Sequence, residues 1–250
     1  MSKTIFITGA TSGFGKECAK LFARNGHKVI ATGRRIEKLE ELKKELKDFD
    51  VYTVSFDVSD KNAVFKAVAE LPSKYKNVDV LINSAGLALG LGLANDALLD
   101  DWDIMVDTNI KGVLYATKAI LPTMVKRKTG YIFNLGSTAG NWPYEGGNVY
   151  GATKAFVKQF SRNLRTDLKG TNIRVSNIEP GAAKTEFSDV RFKGDKEQAS
   201  KVYEGMQPLV AEDIANLIYT LSLLPEHVNV NSLEVMPTSQ TWGGLQVTRD

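Results

Sequence analysis

Apolar residues recur along this chain in two alternating rhythms. Short runs rich in β-branched and aromatic residues predict strands: "TIFITG" (4–9), "KVIATG" (28–33), "VYTVSFDV" (51–58), "VDVLINSAG" (78–86), "GYIFNLGS" (130–137) and "IRVSNIEPG" (173–181). Between them the apolar positions fall three or four residues apart. Ile36, Leu39, Leu42 and Leu46 give residues 35–47 one apolar stripe, which predicts an amphipathic helix. Residues 15–25 end at Gly26, a residue suited to the position just past a helix. Helices are also predicted over 60–70, 98–128 with a break near Asn109, 148–168 and 211–223, and "NSLEVM" (231–236) predicts a closing strand.

Such alternation predicts an α/β fold: a Rossmann-like, doubly wound parallel sheet of about seven strands with helices on both faces. No repeat or Pro/Gly-rich linker divides residues 1–250, so a single domain is expected. Residues 186–209 lack a clear period and are a candidate lid.

Composition narrows the chemistry. The 43% apolar and 24% charged residues are ordinary for a globular protein, and a net charge of +3 is mild. "KRK" at 126–128 reads as the solvated end of a helix, so no nucleic-acid partner is expected. No apolar run approaches the roughly 20 residues of a membrane span, and "MSKTIFITGA" has no secretory core. A cytoplasmic protein without a membrane partner is expected. Cys18 is the one cysteine, so no intrachain disulfide can form. His27 and His227 both fall at predicted element boundaries, which weighs against a Ser-His-Asp triad. A histidine-based zinc motif is absent and no metal is expected. The chemistry is left to Tyr, Lys, Ser and Asn.

"ITGATSGFG" joins the first strand to the first helix. There Gly9 permits a tight turn, Gly13 lets backbone approach a pyrophosphate, and Gly15 allows close packing at a helix start whose N–H groups attract phosphate. In NAD-binding chains an acidic residue about 20 positions on bonds the ribose. Here "ATGRRIE" puts Arg34 and Arg35 at that point. A guanidinium suits a 2′-phosphate, so NADP is expected rather than NAD. The alternative is that both arginines cap or solvate the next helix.

In "YGATK", Tyr150 and Lys154 stand at i and i+4, on one helix face. Ser137 ends the fifth strand, on the side where doubly wound sheets bind ligands. The lysine ammonium is expected to favour the phenolate and bring Tyr150 down from about 10 toward a useful range for a general base. Ser137 would hydrogen-bond a substrate oxygen as charge develops on it. Asn109, in "DTNIKG", is a poor helix residue.

With "TGATSGFG", "NSAG", "NIKG", Ser137 and "YGATK" in order, the whole chain resembles the short-chain dehydrogenase/reductase family. "STAGNWPYEGGNVYGATKAFVKQFSRNLRTDL" and "EFSDVRFKGD" are similar to its bacterial branch that oxidises 3-hydroxy acids with NADP. The resemblance implies a catalytic tetrad of Asn109, Ser137, Tyr150 and Lys154, in which Asn109 supports a helix bend and a water-linked proton path to the lysine. It implies a cofactor cradle of Thr8, Gly9, Thr11, Ser12, Gly13, Phe14 and Gly15, with Asp57 at the adenine and Val58 beside it. Asn83, Ala85 and Gly86 belong to the same cradle, although Ser84 stands where the family has a second Asn. Pro180, Gly181 and Thr185 fall near the nicotinamide amide, and Lys154 at the ribose, beside Tyr150. The reaction implied is hydride transfer between NADP and the hydroxyl-bearing carbon of a small 3-hydroxy acid such as serine, allo-threonine or 3-hydroxypropionate. Two other readings stay open: a reductase of other ketones or 3-oxoacyl thioesters, and a non-catalytic dinucleotide-binding regulator.

A substrate carboxylate needs a partner. In a strand-like lid, Arg191 and Lys193 would share a face with Phe192 opposite, and the arginine fork suits both carboxylate oxygens. The alternative leaves both cations solvated beside Asp189 and Asp195. The resemblance also implies a homotetramer, with Trp242, Leu245 and Val247 of the tail expected to reach a neighbouring subunit.

Overall fold

In the computed structural model, which describes residues 2–242, the apolar runs become strands of one parallel sheet. They are β1 (Thr4–Thr8), β2 (Lys28–Gly33), β3 (Val51–Ser55), β4 (Val80–Asn83), β5 (Gly130–Leu135) and β6 (Ile173–Pro180). Two-residue strands β7 (Ala183–Lys184) and β8 (Leu209–Val210) pair with each other beyond the sheet. The closing strand, β9 (Ser232–Val235), completes the seven-stranded order β3-β2-β1-β4-β5-β6-β9.

The helices are α1 (Gly13–Arg24), α2 (Ile36–Glu45), α3 (Lys61–Ala69), α4 (Leu99–Val106), α5 (Gly112–Arg127), α6 (Asn148–Asp167), α7 (Phe187–Arg191), α8 (Lys196–Lys201) and α9 (Ala211–Leu223). Successive strand residues point to opposite faces. Ile5 and Ile7 therefore pack with Phe22 of α1, Leu39 and Leu42 of α2 and Ile214 of α9. Phe6, between them in sequence, packs on the other face with Val64 of α3, Ile120 of α5 and Leu164 of α6. Both faces are covered, which explains why every β1 residue is buried.

Strand order runs one way from β1 to β3 and the other way from β4 to β9. The loops after β1 and β4 therefore part at the carboxyl edge of the sheet, where such folds bind ligands. Between α4 and α5 the helix does not simply break. Asp107–Lys111 form a π turn, one of the local bulges that recur at functional sites.

The lid departs from expectation. Residues 186–209 carry two short helices rather than a strand-like segment. Asp195 caps α8 by accepting from the Gln198 N–H, and Gly194 turns the chain between the helices at φ +92. A helical turn separates the two cations that a strand would have kept on one face. Among the described residues, no helix is long and apolar enough to cross a membrane.

Candidate active site

The loop after β1 is shaped by glycines that no other residue could replace without strain. Gly9 has φ +69, and a Cβ there would come within 2.8 Å of Ala85 backbone. A Cβ on Gly15 would lie 2.4 Å from the Gly9 carbonyl oxygen, so Gly15 sits beneath the loop rather than in the cleft. Thr8 ties the two parting loops together: its Oγ1 accepts from the N–H groups of Ser84 and Ala85, each at 3.1 Å. The backbone support at Ser84 is thus made by Thr8, whatever side chain Ser84 carries.

These loops wall a cavity of about 600 Å³, a size suited to a cofactor-sized ligand. Gly9, Thr11, Ser12, Gly13 and Phe14 line it, with Arg34, Arg35 and Val58 at one end. Ala85, Gly86, Pro180, Gly181 and Thr185 line its middle, and Ser137, Tyr150, Lys154 and Arg191 the other part. Five expected residues do not line it: Thr8, Gly15, Asp57, Asn83 and Asn109. Asn83 points into the layer below, donating to Asn134 Oδ1 at 2.8 Å and Thr117 Oγ1 at 3.1 Å.

The two arginines make different contacts. Arg34 pairs with Asp57 at 3.2 Å. Burial alone would push the Asp57 carboxyl up, but the Ser59 hydrogen bonds and the Arg34 guanidinium hold it below the usual carboxylate range. Arg35 donates to Thr11 Oγ1 through Nε and Nη2, at 3.3 and 3.1 Å, and pairs with Glu186 at 2.7 Å. Its side chain makes no capping bond to α2 and reaches the glycine loop instead, although both arginine side chains stay exposed, as the solvation alternative has it.

Ser137 leaves β5 with its Oγ accepting from the Ala139 N–H at 3.1 Å. Tyr150 and Lys154 lie on the buried face of α6, 8% and 6% exposed. That burial overturns one expectation. Desolvation raises the Tyr150 phenol well above its ordinary value, against the pull of the Ser137 hydroxyl and the Arg191 guanidinium and with a push from Tyr144. Lys154 is itself lowered to about 8 by burial. Its Nζ donates to the Leu135 carbonyl at 2.8 Å and stands 5.8 Å from the centre of the Tyr150 ring.

Asn109 acts from behind the cavity. Its Oδ1 accepts from the Leu87 N–H at 2.9 Å, and its Nδ2 donates to the Leu87 carbonyl at 2.8 Å and to Thr153 Oγ1 at 3.0 Å. The π turn carries this side chain, which braces the "NSAG" loop against α6. A Cβ on Gly86 would lie 3.2 Å from Asn109 Oδ1 and 3.3 Å from Lys154 Nζ, so a glycine there lets both approach.

Arg191 and Lys193 part company. Arg191 turns inward, donating to Tyr144 Oη at 2.7 Å and the Gly90 carbonyl at 3.2 Å, with its guanidinium 5.6 Å from the centre of the Tyr150 ring. Lys193 pairs with Asp101 at 2.9 Å and does not line the cavity. Several lining residues carry no motif and went unread in the sequence: Trp142, Tyr144, Phe187, Tyr203 and Gln240; Trp242, expected at a subunit contact, lines the cavity as well. Only "GNWPYEGG", lying between Ser137 and Tyr150, offered a signal, because two large aromatics in a Gly-rich loop need a surface to cover.

Residues 3–196 match the family described as short chain dehydrogenase. The NADP-dependent 3-hydroxy acid dehydrogenase YdfG of Salmonella typhi is 55% identical over 246 residues, covering 98% of this chain and 99% of the relative. The serine 3-dehydrogenase of Agrobacterium fabrum is 51% identical over 250 residues, covering 100% of both chains. Among solved structures, the closed form of a serine dehydrogenase complexed with NADP+ superposes with a TM-score of 0.97 at 54% identity, covering 99% of this chain and 100% of that one. Serine dehydrogenase from Escherichia coli gives a TM-score of 0.84 at 49% identity, covering 96% and 100%.

Proposed function

Because the chain belongs to the short-chain dehydrogenase/reductase family, we propose that it oxidises the hydroxyl-bearing carbon of a small 3-hydroxy acid, such as serine, allo-threonine or 3-hydroxypropionate, with NADP. The observation that carries this reading is that Ser137, Tyr150 and Lys154 open onto the same cavity as Arg34 and Arg35.

The residues present fit the cofactor. Gly9 and Gly13 line the cavity at the N-terminus of α1, where a pyrophosphate would rest, and the Cβ side of Gly13 is open as far as Thr185, 3.5 Å away. Arg34 and Arg35 would hold the 2′-phosphate, and Lys154 the ribose hydroxyls. Once bound, NADP supplies the hydride acceptor and, when oxidised, a positive ring beside the phenol.

The chain handles the proton. In oxidation, Tyr150 Oη takes the proton of the substrate hydroxyl while Ser137 Oγ donates to the same oxygen. A phenol raised by burial needs nearby positive charge to ionise: the Arg191 guanidinium already draws it down, and Lys154, with Nζ 5.8 Å from the ring centre, would add to that. Asn109 keeps the turn that aims Lys154 and fixes Leu87, so it is a positioning residue. Arg191 would pair the substrate carboxylate, since its guanidinium stands beside Tyr150.

Exposed Leu98, Leu99 and Ile104 around α4 support assembly into a homotetramer, and we place the enzyme in the cytoplasm. Of the expected tail contacts, those of Leu245 and Val247 lie outside the described residues, while Trp242 packs on Trp142 and bonds Glu234 within its own chain. The test is the absorbance of reduced nicotinamide with NADP+ and a panel of alcohols. Turnover of L-serine or 3-hydroxypropionate above uncharged alcohols is expected. Reduction of bulky ketones or 3-oxoacyl thioesters in preference would assign a different substrate, and no turnover of any alcohol or carbonyl would point to a binding protein.

A further inference from the structure

The pairing of β6 with β9 sets Glu179 directly opposite Glu234. Like charges in that position repel. The arrangement persists because donors gather around both. Glu179, 2% exposed, accepts at Oε1 from Asn177 Nδ2 and Ser232 Oγ, each at 2.6 Å, with Lys158 Nζ 3.5 Å away. The Asn141 amide bridges the two acids. Its Nδ2 lies 2.6 Å from both Glu179 Oε2 and Glu234 Oε2, and its Oδ1 accepts from Lys158 at 2.5 Å.

Glu234 holds two further donors. Its Oε2 accepts from Trp142 Nε1 at 3.1 Å and its Oε1 from Trp242 Nε1 at 2.8 Å. The two indoles meet edge to face with ring centres 6.0 Å apart. One comes from the loop between Ser137 and Tyr150, the other from the chain after β9, and both line the catalytic cavity, which Glu234 does not touch. Trp142 is 46% exposed and Trp242 55%, so packing covers only half of each ring and leaves their orientation to the N–H anchor. The anchor is referenced to the catalytic hydroxyl, because Glu179 precedes Pro180, whose carbonyl accepts from Ser137 Oγ at 3.4 Å.

We propose that Glu234 is a positioning residue for substrate selection: by gripping both indole N–H groups it fixes Trp142 and Trp242 as a wall of the cleft that limits the site to short hydroxy acids. This rests on the proposed function for the identity of the substrate, but the wall has a readout without substrate. Charge-assisted bonds to a carboxylate orient more strongly than neutral ones, so graded removal of charge grades the effect.

The experiment compares Glu234→Gln and Glu234→Ala with wild type in steady-state kinetics, tryptophan emission and thermal melting, with NADP present. KM for 3-hydroxypropionate should rise about tenfold in Glu234→Ala, as expected for loss of charge-assisted bonds, and by less in Glu234→Gln, with kcat and KM for NADP within about threefold. Longer-chain 3-hydroxy acids should gain relative to 3-hydroxypropionate, and emission should shift to the red as the indoles meet water. Should Glu234→Ala fail to fold, the double variant Trp142→Phe, Trp242→Phe deletes both N–H groups and should raise the same KM. Unchanged KM in the folded variants, or kcat and NADP binding falling in parallel with it, overturns the positioning role. A wild type that turns over no 3-hydroxy acid while Glu234→Ala still shifts the emission would instead overturn the proposed function.

Discussion

Lys154 Nζ donates to the Leu135 carbonyl at 2.8 Å and stands over the Tyr150 ring at 5.8 Å, so the two members of "YGATK" share a buried face without bonding each other. A backbone carbonyl at the end of β5 thus fixes the amine in place before any ligand arrives. The cost is a buried cation, and burial lowers Lys154 to about 8.

That cost has a sign. A lysine lowered from 10.5 to about 8 binds fewer protons in the folded state than in the unfolded one between those two values. Stability of the cofactor-free protein therefore rises with pH across that window, by about 3 kcal/mol from this group at about 1.36 kcal/mol per unit. The raised Tyr150 works oppositely, but only above about pH 10, where a free phenol ionises. Lys154→Met should be more stable than wild type at neutral pH, with the advantage shrinking as pH climbs from about 8 toward 10.5. Urea unfolding at several pH values measures it, and a constant difference would show that Lys154 is not buried as a cation.

Tyr150→Phe removes the proposed proton acceptor and leaves the ring. It should lower kcat by about two to four orders of magnitude, the usual share of general acid–base catalysis, while NADP binds as in wild type. Lys154→Met should lose turnover and weaken NADP as well. Fluorescence titration of the cofactor separates the two, and near-normal turnover by Tyr150→Phe at about pH 8 would remove the phenol from the mechanism.

Much of this was legible in the sequence, and the reason is local. Gly9, Gly13 and Gly15 follow a strand and open a helix, so their roles depend on neighbours in the chain, and Tyr150 and Lys154 share a helix turn. The misfit of Asn109 in a helix also marked a real bulge. What stayed hidden depends on distant pairing. Nothing local in "NSLEVM" says that Glu234 will meet Glu179, because the β6–β9 register decides it. The lid misled for another reason: "SDVRFKGD" is too short for periodicity to tell a strand from a single helical turn, and the caps at Gly194 and Asp195 settled it.

The proposed basis of the cofactor preference is the placing of Arg35 rather than charge alone. Its Nε and Nη2 already engage Thr11 and its Nη1 engages Glu186, which orients the fork beside the glycine loop. Losing one charge-assisted contact to phosphate costs roughly 1.5–3 kcal/mol, or about 10- to 150-fold. Arg35→Ala should lower kcat/KM for NADP by that factor and leave NAD within about threefold. Arg34→Asp should erase or reverse the preference. A wild type that favours NAD in kcat/KM would refute the role of both arginines.

In the proposed function, substrate recognition turns on Arg191. Its guanidinium is 5.6 Å from the Tyr150 ring centre, and it is held there by Tyr144 Oη and the Gly90 carbonyl, two partners without full charge. A cation so held beside the reacting phenol keeps capacity for an anion, and a 3-hydroxy acid brings one. Lys193 has no such freedom, since Asp101 neutralises it outside the cavity. Arg191→Ala should therefore raise KM for 3-hydroxypropionate by about 10- to 150-fold, the worth of a charge-assisted hydrogen bond, and change KM for an uncharged alcohol of similar size by much less. Lys193→Ala should alter neither. Arg191 also opposes the burial that raises Tyr150, so its loss should shift the pH profile of kcat/KM upward with either substrate. Paired kinetics on the acid and the alcohol decide the matter: equal KM effects would leave Arg191 as a strut of the lid, with the carboxylate held elsewhere in the cleft.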